Sequence, residues 1–436
     1  MSVTITTIAV TFLIMLAIML LGMPIAAVML LIAAVGGVLT FGWPLVESMG
    51  PVMWSVMNES LLTAIPLFIL LGELMLRSGM ADRMYAALSL WLERLPGGLL
   101  HTNIGSSALF AATSGSSVAT AATIGTVAMP ALNQRGYDKA KSLGSIAAGG
   151  TLGILIPPSV NLLIYGSLSE TSIGQLFIAG IIPGLLLTGL FMGYIALTNK
   201  VSAEERAARP RLPLSQKLFA LTALIPPALI FLIVMGSIYL GIATPTESAA
   251  LGVVAALIIV AVRGQLSFAF FSRCFVQTAR TTGMVLLIVL SAFALNVTLS
   301  LTGVAQTTTA WVTSLGISTT ALLLLLVVFY LLLGMFMDVL SMMVLTIPIA
   351  VPVVVAAGVD PIWFGIFIII MCELGMVTPP VGMNLYVVHG IRTDGGPFLD
   401  VVRGALPFTL IMVAFSLFLI AVPQVVTLLP QTMFGP

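Results

Sequence analysis

The chain has 436 residues, of which 60% are hydrophobic and only 7% charged, with a formal net charge of +1. Soluble domains carry roughly 25% charged residues, so a water-soluble globule is excluded, and the near-neutral balance with no basic cluster outside loops speaks against nucleic acid. Apolar stretches of spanning length follow one another from Val3 to Leu429. Each must be helical, because lipid cannot satisfy free backbone groups.

In chain order, ten crossing helices are expected, at 3–21, 23–41, 52–76, 142–166, 173–199, 216–241, 244–262, 281–301, 362–391 and 404–430. The first has no preceding basic residue and joins the second through Gly22-Met23-Pro24, so it does not read as a cleavable signal peptide. Every Lys and Arg falls within Arg77–Arg94, Arg135–Lys141, Lys200–Lys217, Arg263–Arg280 or Arg392–Arg403. Short loops rich in these residues stay cytoplasmic, and the remaining connections are placed outside, as are both termini. Two apolar stretches do not fit as crossings. Residues 98–133 start and end beside basic loops, and residues 317–356 start and end beside loops without basic residues. Both therefore read as re-entrant helical hairpins, a form tolerated only inside protein or against a polar cavity.

The chain also repeats itself. A shift of 222 positions superposes Pro130 on Pro352, Gly136 on Gly358, Asp138 on Asp360, Gly153 on Gly375, and Pro157-Pro158 on Pro379-Pro380. A shift of 224 carries Ser78-Gly79-Met80-Ala81 onto Thr302-Gly303-Val304-Ala305, Gly180 onto Gly404 and Pro183 onto Pro407. The expected fold is an all-α polytopic membrane protein of two repeats, 1–200 and 214–436, joined by a cytoplasmic linker at 201–213. Each repeat has five crossings and a hairpin. Five is odd, so the second repeat must be inverted, which places a binding site at the repeat interface.

The first hairpin tip, Thr113-Ser114-Gly115-Ser116-Ser117, breaks a helix with hydroxyl and glycine residues whose carbonyls suit a hard cation and whose helix N-terminus suits a carboxylate. The break Gly153-Ile154-Leu155-Ile156-Pro157-Pro158, followed by Asn161, removes two backbone donors and frees carbonyls near Gly153 and Ile156. Its counterpart is Gly375-Met376-Val377-Thr378-Pro379-Pro380, followed by Asn384. Ser116, Ser117, Asn161 and Asn384 are the candidates to meet a substrate. Asp338 aligns with Ser116 at the second tip, where cation ligand, helix cap and proton relay all remain open. Glu373 and Glu247 are weaker candidates, and Glu73 reads as an ion pair with Arg77. Cys274 and Cys372 stand alone, and His101 and His389 lie far apart, so no disulfide, metal or Ser–His hydrolase constellation is visible.

The strings LFAATSGSSVATAATIG, GGTLGILIPPSVNLLIYG, GIATPTESAALG and ELGMVTPPVGMNLYVV resemble the large membrane subunit of tripartite ATP-independent periplasmic transporters. The resemblance implies a bacterial inner-membrane transporter subunit rather than an enzyme, without a cofactor. It implies sodium-coupled import of a small organic acid, such as a C4-dicarboxylate or a sialic acid, by an elevator motion. It further implies two partners, a small four-helix membrane subunit and a periplasmic substrate-binding protein. Carried over by position, one sodium site would use Ser114, Gly115 and Ser116 with carbonyls near Gly153, Ile156 and Pro158. The other would use the Asp338 region with carbonyls near Gly375, Thr378 and Pro380. A one-component carrier of similar architecture is the main rival, and it would need no binding protein.

Overall fold

The computed structural model describes residues 4–199 and 213–434, and among them all regular structure is helical. The expected linker lies outside the described residues except for Pro213. The chain opens with α1 (Ile5–Leu20), α2 (Ile25–Phe41) and α3 (Trp43–Met57). Next come α4 (Ser60–Arg77) and the short α5 (Met80–Leu92). A hairpin follows, α6 (Leu99–Ser114) and α7 (Ser117–Gln134). The interrupted span is α8 (Lys139–Gly150), α9 (Leu152–Leu155) and α10 (Val160–Ser169), bent by 43°, and α11 (Ile173–Thr198) closes this half.

The second half begins with α12 (Leu214–Ala220) and a 3-10 turn at Leu221–Leu224, then α13 (Ile225–Tyr239) and α14 (Pro245–Val262). The longest helix, α15 (Phe268–Leu301), leads to the short α16 (Val304–Ser314). The second hairpin is α17 (Thr319–Gly334) and α18 (Val339–Ala356). Its interrupted partner is α19 (Pro361–Met376) with α20 (Met383–Gly390), before α21 (Phe398–Ala421) and α22 (Gln424–Phe434).

Among the described residues seven helices are long and apolar enough to cross a membrane alone, with Leu214–Tyr239 taken as one, or eight with α8–α10 counted as one span. α1, α2, α17 and α19 are apolar but shorter. Three expected spans change shape. The 52–76 span is two helices, because Asn58 folds its side-chain amide back onto the Trp54 carbonyl at 2.7 Å and closes α3. The 281–301 span starts at Phe268, since Ser267 caps the helix through the Phe270 amide at 3.1 Å and no Gly or Pro follows before Gly283. At 34 residues α15 is about 50 Å long, well beyond a hydrocarbon core of about 30 Å. The 404–430 span starts at Phe398 and ends at Ala421, where Pro423 cuts α22 from α21.

Local geometry matches at the positions the shifts pair. Gly79 and Gly303 take left-handed φ of 61° and 70° before α5 and α16, and Gly136 and Gly358 take 68° and 84° after the hairpins. Asp138 caps α8 through the Lys141 amide at 2.8 Å, and Asp360 caps α19 through the Ile362 amide at 2.7 Å. Both double prolines contain a cis peptide bond, Pro157-Pro158 and Pro379-Pro380.

The interrupted helices form the centre. Every residue from Ser142 to Leu155 is buried, as is every residue from Trp363 to Val377. Burial on every side leaves these segments no face toward lipid or water. The first interrupted span is tied to the second half where Gly144 of α8 meets the backbone of Gly404 on α21, with no room for a Cβ on either. Exposed apolar residues such as Leu39, Trp54, Leu197 and Leu232 lie on peripheral helices, as a bilayer requires.

Candidate functional site

Each hairpin tip is packed onto an interrupted helix. At the first, Gly115 ends α6 in the left-handed region (φ 59°), and a methyl added there would lie 3.0 Å from the Pro158 carbonyl. Gly153 sits beneath the next two residues: a Cβ on it would be 2.7 Å from the Ser116 carbonyl and the Ser117 Cα. Tip and break thus touch through backbone, and glycine is what permits the approach. Ser114, Gly115, Ser116, Ser117, Gly153 and Pro158 are brought together. Asn161 follows directly in the first turn of α10, whose cap is Ser159. Ile156 is extended (φ −82°, ψ 121°), leaving the helical path just before the prolines.

At the second tip, a Cβ on Gly375 would be 2.7 Å from the Gly334 Cα and 2.9 Å from its carbonyl. The Val381 amide donates to the Met335 carbonyl at 3.1 Å, sewing the hairpin to the chain after the prolines. Thr378 is inside this arrangement. Its amide donates to the Gly375 carbonyl at 3.2 Å and its hydroxyl to the Leu374 carbonyl at 2.6 Å. The Thr378 amide replaces the donor that Pro379 lacks, but neither bond reaches the Met376 carbonyl that Pro380 would have served, so the break is only partly satisfied.

Two expected ligands have local duties. The Ser116 hydroxyl accepts from the Ala119 amide at 3.4 Å, and its carbonyl accepts both the Thr120 amide at 3.0 Å and the Thr120 hydroxyl at 2.8 Å. Both lone pairs of that carbonyl are engaged, so the oxygens of Ser114 and Gly115 are the freer ones at the tip. Asp338 is the N-cap of α18: Oδ2 accepts from the Leu340 amide at 3.1 Å and the Ser341 amide at 3.4 Å, while Oδ1 accepts from the Ser341 hydroxyl. Of the roles left open for Asp338, the cap is the one whose bonds are formed.

Glu373 is stronger than the sequence suggested. It is 1% exposed, one turn before the second break, and its Oε1 accepts from the Ser117 hydroxyl on the first hairpin, while Oε2 has no partner. Asn384 is fully buried, with neither its amide oxygen nor its nitrogen bonded. It lies against Gly150, where an added Cβ would be 2.9 Å from its Nδ2 and 3.3 Å from the Ser117 carbonyl. Ser117, Glu373 and Asn384 therefore form one polar group where the halves meet. The only signal in the sequence was the position of both residues beside the second break.

Arg392 is the sole buried arginine among the described residues, at 9% exposed, but it is already engaged. Its guanidinium bonds Asp394 at 2.6 and 3.0 Å, Asp400 at 3.2 Å and the Pro397 carbonyl at 2.9 Å, and Lys139 joins Asp394 at 2.7 Å. This clamp fixes the loop after α20 to the start of α8. Hydrogen bonds from Arg392 first, then Lys139, hold the Asp394 carboxyl well below the usual range.

The sequence profile of the tripartite ATP-independent periplasmic transporter DctM component matches residues 12–425. The C4-dicarboxylate TRAP transporter large permease protein DctM of Pseudomonas aeruginosa is 34% identical over 90% of this chain and 92% of its own length. The sialic acid TRAP transporter large permease protein SiaM of Vibrio cholerae is 33% identical over 95% of this chain and 96% of its own. The crystal structure of the Alcanivorax borkumensis YdaH transporter superposes with a TM-score of 0.64, covering 98% of this chain and 100% of that one at 15% identity, a likeness of fold. The DctM and SiaM relatives are permease subunits and not enzymes. The chain belongs to the DctM family, as a multi-pass large permease component of a tripartite ATP-independent periplasmic transporter in the bacterial inner membrane.

Proposed function

We propose that this chain imports a small carboxylate in symport with sodium, with the hairpins and interrupted helices moving as one elevator body against the remaining helices. The supporting observation is the pair of backbone seams, Gly115 and Ser116 on Gly153–Pro158 and Gly334 on Gly375. Each places carbonyl oxygens deprived of helical donors beside a hairpin tip, which is the ligand chemistry sodium takes. The first ion site uses Ser114, Gly115, Gly153, Ile156 and Pro158, and the second uses Gly375, Thr378 and Pro380 with Asp338 shaping the tip. Ser117, Asn161 and Asn384 face the substrate carboxylate. The two repeats are inverted relative to one another, so that both seams meet near the midplane.

C4-dicarboxylate and sialic acid relatives support an organic acid as cargo. A periplasmic substrate-binding protein delivers it, and a small four-helix membrane subunit packs on the peripheral helices. Two sodium ions with one monoanion carry one positive charge inward, worth about 2.3 kcal/mol per 100 mV. Because a ligand shifts a carrier only through differential affinity, sodium must favour the tips that accept substrate. Replacing external sodium by choline in proteoliposomes holding the complete transporter should abolish uptake; unchanged uptake would refute sodium coupling.

A further inference from the structure

The corner that follows α4 and α14 carries two arginines the transport site does not use. The Thr246 hydroxyl donates to the Ser60 carbonyl at 2.9 Å, so the two helices start side by side, and each runs 18 residues. They therefore end together, at the end of the bundle that bears the Lys and Arg and that the positive-inside rule puts in the cytoplasm. Gly79 turns the chain into α5, and Arg83 reaches back to the Ser78 carbonyl at 2.9 Å. Arg263 follows directly on α14. Both arginines thus stand at the corner where α4 and α14 end, and burial first, then the charge of Arg83, hold the Arg263 guanidinium below its ordinary value.

Arg83 Nε and Arg263 Nη1 are buried without an acceptor. Neither arginine is in an ion pair among the described residues: Arg77 is taken by Glu73, and Asp82, the acid beside Arg83, is exposed and pairs with nothing. Two cations at one corner, each with a buried unsatisfied donor, are unfavourable unless an anion serves them. Exposed apolar residues run from Arg263 back along α14, Val262 at 83% and Ile258 at 57%. A soluble anion would have no use for that apolar border, whereas a phospholipid uses both parts.

We propose that Arg83 and Arg263 bind the phosphate of an anionic phospholipid, whose acyl chains run over Val262 and Ile258 of α14. Arginine presents paired donors matched to phosphate oxygens, and anionic lipids enrich the cytoplasmic leaflet. The site would anchor the adjoining ends of α4 and α14 to the bilayer.

The test is native mass spectrometry of the purified protein titrated with phosphatidylglycerol or phosphatidylcholine. Wild type should bind the anionic lipid selectively. The R83Q/R263Q variant should lose about thirtyfold in phosphatidylglycerol affinity, from roughly fivefold per basic residue at a membrane surface. R273Q, which removes an exposed arginine at the same end, should bind as wild type does. Should the double variant fail to fold, R83K and R263K, which keep the charge and lose the paired donors, should each bind more weakly. Equal phosphatidylglycerol binding by wild type and these variants overturns the site. Inorganic phosphate raising the melting temperature of wild type as much as phosphatidylglycerol does, and not that of the variant, overturns the lipid assignment.

Discussion

Replacing Gly375 by Ala perturbs the second seam with a single methyl group. That methyl would lie 2.7 Å from the Gly334 Cα and 3.0 Å from its carbonyl carbon, and both are backbone atoms that no rotamer change can move. Carbon atoms rest about 3.5–4.0 Å apart, so α17 and α19 must separate by about 1 Å at the tip. Overpacking of this kind costs about 1–3 kcal/mol. If the seam is where sodium binds, that cost falls on the ion-bound state, and at tenfold per 1.4 kcal/mol the half-saturating sodium concentration rises about five- to hundredfold. The assay is substrate uptake by the reconstituted complex as a function of sodium. Gly193→Ala on α11, where nothing lies within 4 Å of the added methyl, is the control and should leave the curve unchanged. A wild-type sodium curve for Gly375→Ala, in protein of normal melting temperature, would refute the assignment of the seam.

Glu373→Ala strands the Ser117 hydroxyl and opens a cavity, so the melting temperature should fall by an amount equivalent to about 1–3 kcal/mol, with uptake lost; Glu373→Gln, which keeps an acceptor for Ser117, should recover most of the stability. Equal melting temperatures for the two variants would argue against the bridge between the halves. Asp338→Ala should cost about 0.5–2 kcal/mol of stability through loss of the α18 cap, while Asp338→Asn, a competent cap, should restore stability and sodium affinity together. Restored stability with a lost sodium response would instead make the carboxylate an ion ligand. The Lys139–Asp394–Arg392 clamp has a defined pH dependence. Because the Asp394 carboxyl is held down in the folded protein, its stabilisation is complete above the ordinary aspartate value and is lost progressively as pH falls from there through the depressed one. The melting-temperature difference between wild type and Asp394→Asn should therefore stay flat from about pH 8 to about pH 5 and shrink below about pH 4. A difference that disappears near neutrality would contradict the clamp.

The helical architecture was legible because each ingredient is a local signal. Double prolines remove donors wherever they stand, so both breaks could be placed from Pro157-Pro158 and Pro379-Pro380 alone. The Ser114–Ser117 run marked the first tip for the same reason. The constant shift between the halves survives in glycines and aspartates whose backbone duties, left-handed turns at Gly79 and Gly303 and caps at Asp138 and Asp360, do not depend on neighbours. The contact of Glu373 with Ser117, 256 positions apart, belongs to packing between the halves, and no periodicity announces such a pair. The Gly334–Gly375 approach was hidden similarly, although small residues signal close backbones in membranes. Helix ends were misjudged where one side chain decides them: Asn58 closing α3, Ser267 opening α15. The charge map set the start of the 281–301 span after Arg280, but charge says where a segment lies and not whether it is helical. That Ser116 spends its carbonyl on Thr120 is a rotamer-level fact with no counterpart in composition.

The central claim is coupling of sodium and a delivered carboxylate through the two seams. Its most direct measurement is uptake of radiolabelled organic acids into proteoliposomes carrying this chain and its small membrane partner, with and without an inward sodium gradient, and with and without the cognate binding protein outside. Accumulation only when both sodium and binding protein are present is the predicted result. Accumulation driven by sodium without the binding protein would make the chain a one-component carrier, and accumulation indifferent to sodium would contradict the ion sites altogether.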